Sequence, residues 1–205
     1  MIYIEYHRLQ QVLQRESMQD NARLSVQDRQ DIRNYRLKRL QHYAPAIEIE
    51  VTTHGKPIAK LPNTLAFNHS HSQAHYALAY SDTVADLGID IEDMSRNVRM
   101  MHALAKKSFH PDEYRMWQSL DYCREFWFKV WTIKEAVLKA HGLGIRLDLH
   151  SLNTHAHPTW DFGRVEHLQL GVFMYQHICL AKSMLTVAYR YNTQNLSPIK
   201  LDLHA

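Results

Sequence analysis

Apolar residues at positions 126, 130, 133, 137 and 140 recur with spacing four, three, four, three, which lays Phe126, Val130, Ile133, Val137 and Ala140 along one stripe of a helix. Trp131, Glu135 and Lys139 stand four apart and share another face, and Gly142 supplies a left-handed stop. Taken alone, Glu135 and Lys139 read as a solvated i,i+4 pair.

The pattern elsewhere divides the chain into runs of two periods. Residues 2–6 alternate as a first strand, and 9–15 suit a short helix. Ser25 with Asp28 forms a capping-box signal ahead of a basic helix, in which Ile32, Tyr35, Leu40 and Tyr43 are the expected buried side and Arg33, Arg36, Lys38 and Arg39 crowd the rest. Residues 47–53 read as a strand broken by Gly55-Lys56-Pro57. Short strands follow at 65–68 and 75–80, on either side of the polar segment His69-Ser70-His71-Ser72, and then a turn at 82–87 and a strand at 88–92. Helical spacing returns over 94–107, Pro111 opens a further helix, and the stretches 165–175, 178–181 and 185–191 read as a strand meander. Helix then strands, followed by helices then strands, predicts an α+β fold of two similar halves, 1–95 and 96–205. Each is a small antiparallel sheet packed with helices, with the active site at their interface.

At 205 residues, 45% hydrophobic and 22% charged, the chain can bury an ordinary core. The start MIYIEYHRLQ lacks a signal pattern and no run of about 18 apolar residues occurs, so a cytoplasmic protein without a membrane segment is expected. Cys123 and Cys179 show neither C-x-x-C nor zinc spacing. A formal charge of +3 allows an acidic ligand or partner. The basic helix at 28–42 offers no base-reading motif, so no nucleic-acid partner is expected.

The chemistry concentrates in three places. In Gly88-Ile89-Asp90-Ile91-Glu92 the strand period sets Asp90 and Glu92 on one face and both isoleucines on the other. Two adjacent carboxylates suit a hard divalent ion such as Mg²⁺, which keeps waters for a phosphate to displace. With Glu135 approaching from its helix and Lys139 one turn on, the set would cradle a magnesium-bound pyrophosphate. The segment 68–72 adds hydroxyl and imidazole donors for phosphate oxygens. A zinc site from His69, His71 and His75 is the competing arrangement, and it lacks a companion motif.

The ordered set GKP, N-x-S-H-S, G-I-D-I-E and W-x-x-K-E-A-x-x-K, spanning residues 55–139, resembles the 4′-phosphopantetheinyl transferase superfamily, of the larger surfactin-synthetase-activating type. The resemblance implies that Asp90, Glu92 and Glu135 hold Mg²⁺ and that Glu135 and Lys139 serve catalysis, Lys139 on the pyrophosphate of coenzyme A. It also places Ser70 and His71 on a phosphate and Lys56 near the adenosine end. Trp131 becomes a packing residue that fixes Glu135, and Arg33 or Arg36 a candidate for the 3′-phosphate. The implied reaction moves the 4′-phosphopantetheine arm of coenzyme A to a serine of an apo acyl, polyketide or peptidyl carrier protein, releasing adenosine 3′,5′-bisphosphate. Two internal halves can form the site within one chain, so a monomer is expected. A non-catalytic coenzyme A or nucleotide-binding module is the alternative, and it would not need the full carboxylate triad.

Overall fold

The computed structural model describes residues 1–16, 23–95, 100–144, 146–192 and 201–204. Its elements run β1 (Ile2–Arg8), α1 (Leu9–Val12), α2 (Val26–Tyr43), β2 (Ile49–Val51), β3 (Pro57–Ala59), β4 (Ala66–His71), β5 (His75–Ser81), β6 (Gly88–Asp93), α3 (Met101–Ser108), α4 (Pro111–Ser119), α5 (Arg124–His141), β7 (Phe162–His167), β8 (Gly171–Cys179), β9 (Ser183–Arg190) and β10 (Leu201–His204). The α+β reading holds. Residues 96–99 of the helical stretch expected at 94–107 lie outside the described residues, and α3 begins only at Met101.

One sheet has the order β10-β1-β5-β4, antiparallel except for the parallel pair β1 and β10; a second, fully antiparallel, has the order β6-β9-β8-β7; β2 and β3 form a separate hairpin. The change of sheet therefore falls between β5 and β6, upstream of the sequence division near residue 95, and β10 returns to the first sheet.

Period-two alternation explains the layers. On β5, Tyr76, Leu78 and Tyr80 face α2, where they pack with Ile32 and Leu40, while Ala77 and Ala79 turn to the other side. There they meet Ile2 and Ile4 of β1, Ile89 and Ile91 of β6, and Leu185 and Val187 of β9 in a core shared by the two sheets. The outer face of the second sheet carries α5. Side chains also stitch the two sheets between β4 and β6: Asn68 Oδ1 accepts the Ile89 N–H at 3.1 Å.

Helix α2 starts where its capping box says it should, with Ser25 Oγ accepting the Asp28 N–H at 3.1 Å and the Asp28 carboxylate accepting the Ser25 N–H at 2.8 Å. Arg39 clamps the helix to β1 through two hydrogen bonds to buried Glu5, at 2.8 and 2.9 Å.

Helix α5 departs from a one-striped amphipathic reading. Twelve of its 18 residues are buried, among them Lys129, Thr132 and Lys134 as well as the apolar stripe. Lys134 is fully buried and pairs with Glu113 of α4 at 2.9 Å while donating to the carbonyls of Leu149 and Leu152. The opposite Glu113 oxygen accepts from the Thr154 N–H and hydroxyl at 2.7 and 2.6 Å, so the buried pair is fully hydrogen-bonded. Within the middle of the helix only Trp131, Glu135 and Lys139 keep partial exposure, four apart, so the polar face is a narrow strip. Gly142 ends the helix at φ 88°.

Among the described residues, no helix is long and apolar enough to cross a membrane.

Candidate active site

The site lies where β4, β6 and α5 meet. Alternation on β4 turns Phe67 and His69 toward α2 and Asn68 and Ser70 toward β6. Ser70 Oγ donates to Asp90 Oδ1 at 2.9 Å, and Lys139 Nζ donates to that oxygen at 2.6 Å and to Ser70 Oγ at 2.8 Å. Three residues from three elements thus form one hydrogen-bonded group.

Glu92, the neighbour of Asp90 on the same strand face, accepts from Trp131 Nε1 at 3.2 Å. The indole stacks on Trp127 at 5.5 Å with 12° between the planes. Trp131 was expected to fix Glu135 and instead bonds to Glu92.

Glu135 sits one helical turn before Lys139. Burial and the negative charge of Asp90 push its carboxyl up to about 7, with Lys139 opposing the shift and Glu92 adding to it. Glu135 Oε1 and Asp90 Oδ2 are buried without a hydrogen-bond partner. Two acidic oxygens left in this condition are costly unless a cation satisfies them. An all-oxygen donor set fits Mg²⁺. As the side chains stand, however, no three His, Cys, Asp or Glu groups among the described residues converge tightly enough to grip an ion together. The cation on Asp90 is the Lys139 ammonium.

Because Glu135 titrates higher folded than its ordinary 4.5, it contributes stability that is fully present below about pH 4.5 and is lost as pH rises through about 7. Thermal melts of the chelator-treated protein across that window are expected to show a fall in Tm that is smaller in Glu135→Gln. An equal fall in both proteins would mean that Glu135 is not the buried acid.

The other expected contacts have more varied positions. His71 ends β4 and is exposed; crowding by neighbours and then the Lys139 charge hold its imidazole below its ordinary pKa, so it is neutral near pH 7. Lys56 points away from the carboxylates, and its ammonium caps α5 by donating to the Ala140 carbonyl, a position favoured by the helix dipole. A cavity of about 230 Å³ opens between Gly55, Lys56 and Pro57 on one side, Asn68 and His69 on another, and Lys139 and Gly142 on the third.

Arg33 is bonded to Gln30 on the helix surface, whereas Arg36 is buried and donates to His69 Nε2 at 2.9 Å. Arg36 was expected among the exposed charges of α2. Its spacing, four from both Ile32 and Leu40, put it on the buried stripe, and that was the available signal. The three histidines of the zinc alternative diverge, with His69 on Arg36, His71 at the surface and His75 on Asp93.

Residues 86–181 match the model of the 4′-phosphopantetheinyl transferase superfamily. The match contains Asp90, Glu92, Glu135 and Lys139, the residues gathered at this site. The match covers just under half of the chain, and that segment is what makes the chain similar to this superfamily. Among similar phosphopantetheinyl transferases, HetI of Nostoc sp. is 38% identical over 104 residues, covering 48% of this chain and 43% of the relative. The psf-1 transferase of Bacillus pumilus is 34% identical over 107 residues (51% and 44%), and the gsp transferase of Aneurinibacillus migulanus 32% over 122 residues (58% and 48%). The chain spans just under half the length of the curated relatives it matches. Strand β4 with Ser70 and His71 lies upstream of the family match, and β6 and α5 lie within it.

Proposed function

We propose that the protein transfers the 4′-phosphopantetheine arm of coenzyme A to a serine of an apo acyl, polyketide or peptidyl carrier protein, in a Mg²⁺-dependent reaction that releases adenosine 3′,5′-bisphosphate. The observation that carries this reading is the Ser70, Asp90 and Lys139 group beside Glu135, with one unpartnered oxygen on each acid.

Asp90, Glu92 and Glu135 are the residues that would hold the metal. Bound there, it would withdraw charge from the diphosphate as a Lewis acid. Lys139 moves from Asp90 to the leaving phosphate and balances its developing charge. Ser70 and His71 orient the same phosphates by donated hydrogen bonds. The carrier serine oxygen forms a bond to the phosphorus that bears the pantetheine arm, the bond from that phosphorus to the bridging oxygen breaks, and the electron pair leaves with the nucleotide. The serine proton is taken up at the Glu135 carboxylate. The cavity beside Gly55 and Lys56 suits the nucleoside end, and Arg36 reaches its wall only through His69. Since β4, β6 and α5 belong to one chain, the reading includes action as a monomer, in the cytoplasm, without a membrane or nucleic-acid partner.

The test is the intact mass of an apo acyl carrier protein after incubation with this protein, coenzyme A and Mg²⁺, with and without chelator. The expected result is a gain of one phosphopantetheine arm only when metal is present. No gain on fatty-acid, polyketide and peptide carriers, with coenzyme A still bound, would assign the non-catalytic module instead.

A further inference from the structure

The β4–β5 turn joins the strand that carries Ser70 and His71 to the centre of the first sheet, and side chains of the second sheet help to fasten it. Asp93, the last residue of β6, is buried (2% exposed) and accepts the Ala74 N–H on Oδ2 at 2.8 Å. Its Oδ1 is bonded to Nδ1 of His75, which is also buried (4% exposed). The His75 ring lies on Tyr6 of β1 at 5.2 Å with 18° between planes, and the Tyr6 hydroxyl meets Ser183 Oγ at 3.3 Å. Ser183 stands opposite Asp93 in the β6–β9 register, so the Tyr6 contact reaches the same strand end that carries Asp93. The turn adds its own bonds, Ser72 N–H to the His75 carbonyl at 2.9 Å and Leu9 N–H to the Ala74 carbonyl at 2.8 Å.

The geometry points to Asp93 as a positioning residue for coenzyme binding: with His75 it fixes the turn that aims His71, and so ties the phosphate-contacting segment to the strand bearing Asp90 and Glu92. This rests on the function proposed above. A buried carboxylate is worth its desolvation only where its hydrogen bonds are made, and here they go to one turn, to the Ala74 N–H, the His75 ring and the Ser72 side chain. The same strand end therefore sets the distance between the phosphate donors on β4 and the acids on β6. Asp93 itself need not touch the coenzyme.

Binding of coenzyme A measured by calorimetry, on wild type, Asp93→Ala, Asp93→Asn, His71→Ala and the Asp93→Ala/His71→Ala double variant, tests this, with thermal melts to confirm folding. Asp93→Ala is expected to raise Kd about tenfold. Asp93→Asn, which keeps an acceptor for the Ala74 N–H and serves as the milder variant if Asp93→Ala does not fold, is expected to raise it about threefold. In the His71→Ala background the Asp93→Ala change should add less than twofold, since both act through one side chain. A purely structural Asp93 would lower Tm while leaving the Kd of the folded variants at the wild-type value, and that outcome, or full additivity with His71→Ala, overturns the inference alone. Failure of the wild type to bind coenzyme A overturns the inference together with the proposed function.

Discussion

Glu135→Ala is expected to lower arm transfer at least about 100-fold, a factor that corresponds to about 2.7 kcal/mol of transition-state stabilisation. The variant removes one of the two acids with an unsatisfied buried oxygen, and with it the group proposed to accept the serine proton. It should not unfold the protein. Glu135 is crowded by Asp90 and Glu92, and its oxygen Oε1 has no hydrogen bond to lose, so deletion relieves repulsion as well as opening space. Single-turnover transfer to an apo carrier protein, compared with coenzyme A affinity, separates the effects. A folded Glu135→Ala protein that transfers the arm at near the wild-type rate would remove Glu135 from the mechanism.

The second large effect concerns Gly88. A methyl group there would lie 2.1 Å from the Ala136 carbonyl oxygen and 2.3 Å from the Ala140 nitrogen, both backbone atoms of α5. Strand propensity argues the other way, since replacing a strand glycine by alanine ordinarily gains stability. The contact decides, because a helix backbone cannot step aside as a flexible side chain can. Gly88→Ala is expected to cost about 3 kcal/mol or more, at or beyond the upper end for overpacking, and to lift α5 from β6. Urea unfolding reads the loss as a lower midpoint. The same displacement moves Glu135 and Lys139 away from Asp90, so transfer should fall even in the fraction that remains folded. A wild-type midpoint would contradict the close approach of α5 to β6.

Those two residues also show what could be read in the sequence. The alternation in Gly88-Ile89-Asp90-Ile91-Glu92 correctly assigns the isoleucines to a core and the acids to the other face, and the four-residue spacing of Trp131, Glu135 and Lys139 correctly picks the part of α5 left open. Both are local patterns, and local patterns survive folding when one face is buried. The depth of α5 was not legible. Lys134 looks like surface in any periodicity plot, and its burial depends on Glu113 and on carbonyls 15 and 18 residues downstream. Pro57 reads as a breaker yet begins β3, because it lies in a short hairpin opposite Val51. Strand β10 pairs in parallel with β1 across nearly the whole chain, a relation that no window of sequence contains. Arg36 was hidden by its charge, although its spacing was visible.

The indole of Trp131 bonds to Glu92 and stacks on Trp127. This contact couples the carboxylate strand to a chromophore: a change in charge at Glu92 alters the electric field along the Trp131 N–H, and with it the energy of the indole excited state. Intrinsic fluorescence should therefore shift when a divalent cation and coenzyme A are added together, and the shift should disappear in Trp131→Phe. The protein would then report on its own site without a label.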